Sequence, residues 1–207
     1  MTRLVIFAKA PIAGFAKTRL IPALGAQGAA DLAKCMLSHT VAQALASNAQ
    51  VVELCMSPAP LDTAWQGTAL PQGMECSAQG DGDLGARMSR AIQRAIAQRQ
   101  DPVLLIGTDC PALSAAHIAE AARQLEQHDA VLLPAADGGY VLIGLKAPHP
   151  SLFNDMAWST SVVAAETLRR MASLGLRVWL GPVLYDVDEP ADLDQLPDAF
   201  KARFLPC

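Results

Sequence analysis

The chain has 207 residues, 52% of them hydrophobic, and a formal net charge of −4. This length and composition suit a single α/β enzyme domain spanning 1–207 and exclude a disordered chain. No basic stripe runs along the sequence, which excludes the usual electrostatic footprint of a nucleic-acid binder, and no apolar run is long enough to span a bilayer.

Met1 to Ala8 is an apolar run too short for a secretory signal and reads as the first strand. A loop rich in Gly, Pro and basic residues follows, from Lys9 to Pro22. Ala26 to Ala46 carries Leu32, Met36, Leu37, Val41 and Leu45 at helical spacing. Val51 to Met56 reads as a strand, followed by a short helix near Trp65 and a short strand from Met74 to Ala78. Leu84 to Gln98 is an amphipathic helix with Arg87, Arg90 and Arg94 on its polar side.

Val103 to Ile106 is short, apolar and bounded by Pro and Gly, the pattern of a strand buried on both faces. A helix from about Ser114 to Gln127 and a buried strand from Ala130 to Pro134 come next. Asp137-Gly138-Gly139 is a turn signal leading into a strand from Tyr140 to Leu145. Lys146 to Trp158 is loop-like and of mobile character, suited to an acceptor loop or a dimer contact. Thr160 to Ala172 is helical, with Ser159 or Thr160 as N-cap. Arg177 to Leu180 and Val183 to Val187 are short strands, and Pro190 to Leu196 is a short helix that Asp188 could cap. Alternating strands and helices imply a mostly parallel sheet covered on both faces, made mixed by the late hairpin.

The five cysteines, Cys35, Cys55, Cys76, Cys110 and Cys207, are odd in number and form no Cys-x-x-Cys pair. Free thiols in a reducing cytoplasm are the expectation. Cys110 reads as a small buried side chain rather than a nucleophile, because no His lies near it in sequence.

Six short constellations carry the chemistry. Lys9-Ala10-Pro11-Ile12-Ala13-Gly14-Phe15-Ala16-Lys17-Thr18-Arg19 follows the first strand; it matches neither a P-loop nor a dinucleotide fingerprint, yet offers small residues and cations to an anion. Gln79-Gly80-Asp81-Gly82-Asp83-Leu84-Gly85-Ala86-Arg87-Met88 precedes a helix that Asp83 could cap. Asp109 stands just past a central strand, where open α/β sheets bind ligands, and a carboxylate there suits a divalent cation held against phosphates. It could equally orient the helix near Ser114. Asp137-Gly138-Gly139-Tyr140 follows a buried strand and so lies near the same sheet edge, and Trp158-Ser159-Thr160 directly precedes a helix. Asp186-Val187-Asp188 places two carboxylates on one side of an extended chain, as joint cation ligation needs.

In their joint order these motifs resemble one bacterial family of the GT-A-like nucleotide-diphospho-sugar transferase superfamily, sometimes labelled "selenodomain-associated transferase". The resemblance runs from about Leu4 to Leu196. It implies a single Rossmann-like α/β/α sandwich with a mixed, mostly parallel sheet. By likeness to phospholactate and molybdenum-cofactor guanylyltransferases, it implies that Lys9 to Arg19, including Gly14 and Lys17, hold phosphates. It further implies that Gln79, Asp83 and Gly85 face base and ribose, with Arg87 close by, and that Asp109 with Asp186 or Asp188 binds metal. Two departures stand out: Lys-Ala-Pro-Ile-Ala-Gly replaces the Gly-rich opening of sugar nucleotidyltransferases, and Gly107-Thr108-Asp109 replaces a strict Asp-x-Asp.

The reading that results is a transferase with Mg²⁺ or Mn²⁺ bridging a diphosphate and Asp109, Lys17 and Arg19 holding the remaining oxygens, and Tyr140, Trp158 and Thr160 shaping the acceptor side. Asp137 is the candidate acceptor-orienting group or base. Glycosyl transfer from a sugar nucleotide to a small acceptor leads; nucleotidyl transfer from an NTP, and a non-catalytic nucleotide-binding domain, are the alternatives.

Overall fold

A computed structural model describes residues 2–205. Seven strands form one sheet: β1 (Arg3–Lys9), β2 (Val51–Ser57), β3 (Glu75–Ala78), β4 (Val103–Ile106), β5 (Ala130–Pro134), β6 (Tyr140–Leu145) and β7 (Val178–Leu180). Their spatial order is β3-β2-β1-β4-β6-β5-β7. All neighbours are parallel except β6, which runs antiparallel to both β4 and β5. The sheet is therefore mixed and mostly parallel, as the apolar runs and the Asp-Gly turn imply.

Among the described residues there are five α-helices, α1 (Ile21–Ala46), α2 (Leu84–Arg99), α3 (Ala115–Gln127), α4 (Val163–Ser173) and α5 (Asp198–Phe204), of which the first four cover the sheet. Strand alternation sends Leu4 and Ile6 of β1 to the face packed by Leu37 and Val41 of α1 and Ile118 and Leu125 of α3. Val5 points the other way, into a second core with Met88 and Ile92 of α2 and Met171 of α4. Two apolar layers around a central sheet make the α/β/α sandwich. A third, smaller core lies outside α1, where Leu20, Leu32 and Met36 receive Val187, Leu193 and Phe200 from the C-terminal segment. No helix among the described residues is long and apolar enough to cross a membrane.

Several local expectations are corrected. The first helix begins at Ile21 rather than Ala26, with a break at Gly25, whose φ of 70° is left-handed. Val183 to Val187 forms no strand; Leu184 makes a single bridge to Ala135. Pro182 has no N–H to donate, and beyond Ala135 the neighbouring chain turns away into Asp137-Gly138-Gly139, so the ladder has nothing to extend along. The fourth helix starts at Val163, and neither Ser159 nor Thr160 caps it. The Thr160 hydroxyl instead donates to the Ala157 carbonyl at 2.7 Å, and the Ala164 amide is satisfied by the Gly138 carbonyl at 2.8 Å. A tertiary contact thus does the work of a side-chain cap. The C-terminal turn, a 3-10 helix from Pro190 to Gln195, is capped by Glu189 rather than Asp188. The loop-like segment before α4 is pinned: Arg170 donates to the carbonyls of Ser151, Asn154 and Asp155, and Phe153 is buried. α5, read from no sequence signal, closes the third core through Phe200.

Candidate active site

Parallel pairing of β1 with β2 and β4, and of β2 with β3, aims four strand ends at one edge of the sheet. Lys9, Ser57, Gln79 and Gly107 leave from those ends, and Tyr140 enters β6 there. The edge opens into a cleft of about 770 Å³. Its walls hold Lys9, Lys17, Arg19, Gln79, Arg87, Asp109, Asp137, Tyr140, Thr160, Asp186 and Asp188, drawn from all six sequence constellations. The remaining expected positions, Gly14, Asp83, Gly85 and Trp158, do not line it.

The centre of the cleft is Lys17. Its side chain is only 7% exposed, and its ammonium lies 2.5 Å from Asp109 Oδ1 and 2.7 Å from Asp188 Oδ1. It also donates to the Val187 carbonyl at 2.7 Å. Burial acts to lower the Lys17 pKa, but the two carboxylates outweigh it and hold the value above the usual lysine range, so the ammonium stays charged. Lys17 therefore ties the first loop to both carboxylate segments.

Backbone geometry brings these segments together. The Val187 amide donates to the Asp109 carbonyl at 2.9 Å, and the Val187 side chain is fully buried in the third core. With Val187 facing inward, Asp186 and Asp188 on either side face the cleft, so the alternation expected of a strand survives without one. Asp109 does not cap the following helix: Ser114 does, accepting from the His117 amide. That leaves the Asp109 carboxylate to the cleft.

Asp186 is the most perturbed acid. Burial, then the negative charges of Asp109, Asp188 and Asp137, push its carboxyl up to about 7, while Lys17 acts in the opposite direction. Asp137 accepts from the Gly139 amide at 2.8 Å, an Asx turn that fixes its orientation at the cleft wall. Among the described residues no three His, Cys, Asp or Glu side chains are already gathered as a metal-ligand set. The donor chemistry nonetheless fits a divalent cation. Asp109 and Asp188 flank one ammonium, and burial first, then the charges of Asp109, Asp188 and Asp137, drive the neighbouring Asp186 towards its neutral form. An added hard cation with oxygen ligands relieves that crowding.

Four expected ligand-binding positions have structural work. Gln79 is buried and donates to the carbonyls of Ala8 at 3.0 Å and Cys55 at 3.1 Å, tying β1 to β2 at the rim of the cleft. Asp83 accepts from the Ala86 amide at 2.8 Å and caps α2. Gly85 is the floor on which Trp158 packs. Arg87 is steadied by the Gly82 carbonyl at 2.8 Å while lining the cleft. Residues that sequence reasoning missed are Phe15 and Leu84, 67% and 44% exposed, which form apolar parts of the cleft wall. Ser57 and Ser159 also line it. An exposed Phe beside a loop of cations was the available signal.

No protein of curated function matches the chain in sequence. A crystal structure from Desulfovibrio desulfuricans G20, provisionally described as a nucleotide-diphospho-sugar transferase, is 32% identical, with a TM-score of 0.83 over 91% of this chain and 82% of that one. Rv0371c from Mycobacterium tuberculosis H37Rv in complex with manganese superposes with a TM-score of 0.54 at 16% identity, over 94% of this chain and 97% of that one. A CMP:2-keto-3-deoxy-manno-octonic acid synthetase complexed with CTP superposes with a TM-score of 0.55 at 13% identity, over 99% of both chains. The two distant structures share the fold alone. A family model described as "Uncharacterized protein conserved in bacteria (DUF2064)" matches residues 40–160, and the chain belongs to that family, within the nucleotide-diphospho-sugar transferase fold.

Proposed function

We propose that this chain is a metal-dependent transferase that takes a nucleotide-diphospho-sugar donor and passes the glycosyl group to a small acceptor. The observation that carries this reading is the convergence of Lys17, Asp109, Asp186 and Asp188 at the carboxyl edge of the sheet. The cleft walls hold four basic and five acidic side chains, so they do not by themselves neutralise a diphosphate. A divalent cation supplies the missing charge. Asp109 and Asp188, with Asp186 beside them, are the residues that would hold it, and Mg²⁺ or Mn²⁺ suits their oxygens. Bound there, the cation would neutralise charge on the leaving diphosphate.

The chain's own groups account for the rest. Lys9, Arg19 and Arg87 offer donors to phosphate oxygens, Arg through a planar fork. Phe15 and Leu84 give the donor an apolar resting surface. Asp137, held by its Asx turn, is the candidate to receive the acceptor proton. In glycosyl transfer the bond from sugar C1 to the β-phosphate oxygen breaks, the acceptor oxygen bonds to C1, and the nucleoside diphosphate departs with the electron pair. The relative at 32% identity, with its provisional sugar-nucleotide description, supports this reading.

Nucleotidyl transfer is the second reading, favoured by distant neighbours such as the CTP-bound synthetase. There the acceptor oxygen attacks the α-phosphorus and pyrophosphate leaves. A panel of NTPs and sugar nucleotides, scored by thermal shift with Mn²⁺ and then by product analysis, separates the two. Nucleoside diphosphate release from a sugar nucleotide is the expected result. Stabilisation by NTPs alone, with pyrophosphate released, would replace glycosyl by nucleotidyl transfer. A nucleotide response with no turnover would leave a binding domain.

A further inference from the structure

Lys17 stands where a cation shared by Asp109 and Asp188 would stand. Its ammonium already has three oxygen neighbours, Asp109 Oδ1 at 2.5 Å, Asp188 Oδ1 at 2.7 Å and the Val187 carbonyl at 2.7 Å. The arrangement is anchored on every side. Lys17 has a left-handed backbone, φ 47°, at the start of a 3-10 turn whose Leu20 is completely buried. Val187 is bonded to Asp109 through its amide and buried through its side chain. The other cations of the cleft are held differently: Arg19 is 62% exposed and only 3.7 Å from Glu189, and Lys9 is exposed.

A divalent cation brought to these two carboxylates meets an ammonium that already holds Oδ1 of each. The two positive centres repel each other across the shared carboxylates, so each weakens the other's hold. Pulling Lys17 away uncompensated would leave a buried charge without a partner, which is costly. A diphosphate changes that balance, because its anionic oxygens give the ammonium new acceptors at the moment the carboxylates are released to the metal.

Building on the metal–diphosphate reading above, we infer that this chain takes up its divalent cation preferentially as a metal–diphosphate chelate, with Lys17 passing from Asp109 and Asp188 to phosphate oxygens as the metal arrives. The preferred ligand of the site is thus the chelate rather than the free metal. Lys17 is the group that makes metal binding and diphosphate binding interdependent, and such coupling is reciprocal.

The test is equilibrium dialysis of the chain and of Lys17→Met against Mn²⁺ alone, and against Mn²⁺ with equimolar pyrophosphate, counting Mn²⁺ bound per chain. The unmodified chain should take up Mn²⁺ at least about tenfold more weakly alone than with pyrophosphate. Lys17→Met, with the ammonium gone, should bind Mn²⁺ alone at least about tenfold more tightly than the unmodified chain and gain little from pyrophosphate. Equal, tight uptake of Mn²⁺ alone by both proteins would overturn the inference and leave the metal site standing. No uptake by either protein under any condition would remove the metal–diphosphate reading as well. If Lys17→Met does not fold, the comparison with and without pyrophosphate on the unmodified chain decides the matter: equal uptake in the two conditions overturns it.

Discussion

Gly85 lies directly against the indole of Trp158. A Cβ placed on Gly85 would stand 2.8 Å from Trp158 Nε1 and would collide with the Phe153 carbonyl oxygen. Gly85 is helical and takes no left-handed conformation, so the need is for space and not for backbone freedom. The contact seats the 149–158 segment on the first turn of α2, beneath the cleft. Gly85→Ala should therefore destabilise the fold by about 1–3 kcal/mol through overpacking, despite the higher helix propensity of Ala. Urea unfolding measures this; a change within about 0.5 kcal/mol would show that the segment yields freely.

The opposite end of the sheet carries a buried ion network that gives the protein an acid limit. Glu53 is buried and accepts from Arg3 Nε at 2.9 Å, with Arg94 and the Ser77 hydroxyl also bonded to it. Burial acts to raise the Glu53 pKa, but bonds from Arg94, Ser77 and Arg3 prevail and hold it below the usual glutamate range. A carboxylate depressed in the folded state contributes stability that is fully present above its unfolded pKa and is lost as pH falls through the folded one. Stability should therefore hold at neutral pH and decline below about pH 5. Glu53→Gln should cost about 3–5 kcal/mol at neutral pH, since Arg94 loses its counter-charge and the buried Arg3 keeps only Glu75, and should flatten the acid limb. Urea midpoints from pH 7 to pH 3 for both proteins provide the comparison; parallel acid limbs would exclude Glu53 as their source.

The local pattern of the chain made the strands and the longer helices readable, because apolar spacing reports which face is buried. β4 and α2 show this within a residue or two of their observed ends. Three features were not readable for one common reason: each depends on residues remote in sequence. The start of α4 is set by the Gly138 carbonyl, so Trp158-Ser159-Thr160 misled as a cap. The Asp186 to Asp188 segment is extended but has no ladder, because its partner turns away after Ala135. The pairing of Lys17 with Asp109 and Asp188 follows from strand order and from the C-terminal segment docking on α1. The gathering of acids and cations at one edge was legible from strand-end positions. That Lys17 is already spent on carboxylates was not.

Cys110 tests the distinction between proximity to a site and participation in it. It adjoins Asp109 and lines the cleft, yet it is 5% exposed. Burial first, and then the charge of Asp186, push its thiol up to about 12, against the opposing pull of the Ala112 and Leu113 amides. The thiolate is the reactive species, so Cys110 should stay unmodified at pH 8. Cys76 is exposed on the edge strand β3 and should label faster, although its pKa is also raised by partial burial and Glu53. Cys207 lies outside the described residues. Peptide mapping after brief iodoacetamide treatment of the folded, metal-free chain reads each position separately; early modification at Cys110 would return a nucleophilic cysteine to consideration.

Asp109→Asn removes charge from the cation site with almost no change in volume. Lys17 would keep Asp188 and the Val187 carbonyl as partners, so the loop should stay in place and the melting temperature without ligand should move little. What should fall is the metal-dependent part of donor binding, because the central-strand carboxylate is then a neutral amide, a poor ligand for a hard cation. Stabilisation by a ligand follows its affinity by mass action, so the Mn²⁺-dependent rise in melting temperature with a bound donor should largely disappear. A loss of at least about tenfold in affinity, about 1.4 kcal/mol, is expected with Mn²⁺ present and much less with Mn²⁺ chelated. An equal loss in both conditions would mean that Asp109 acts through Lys17 and the loop, and that the cation sits elsewhere in the cleft.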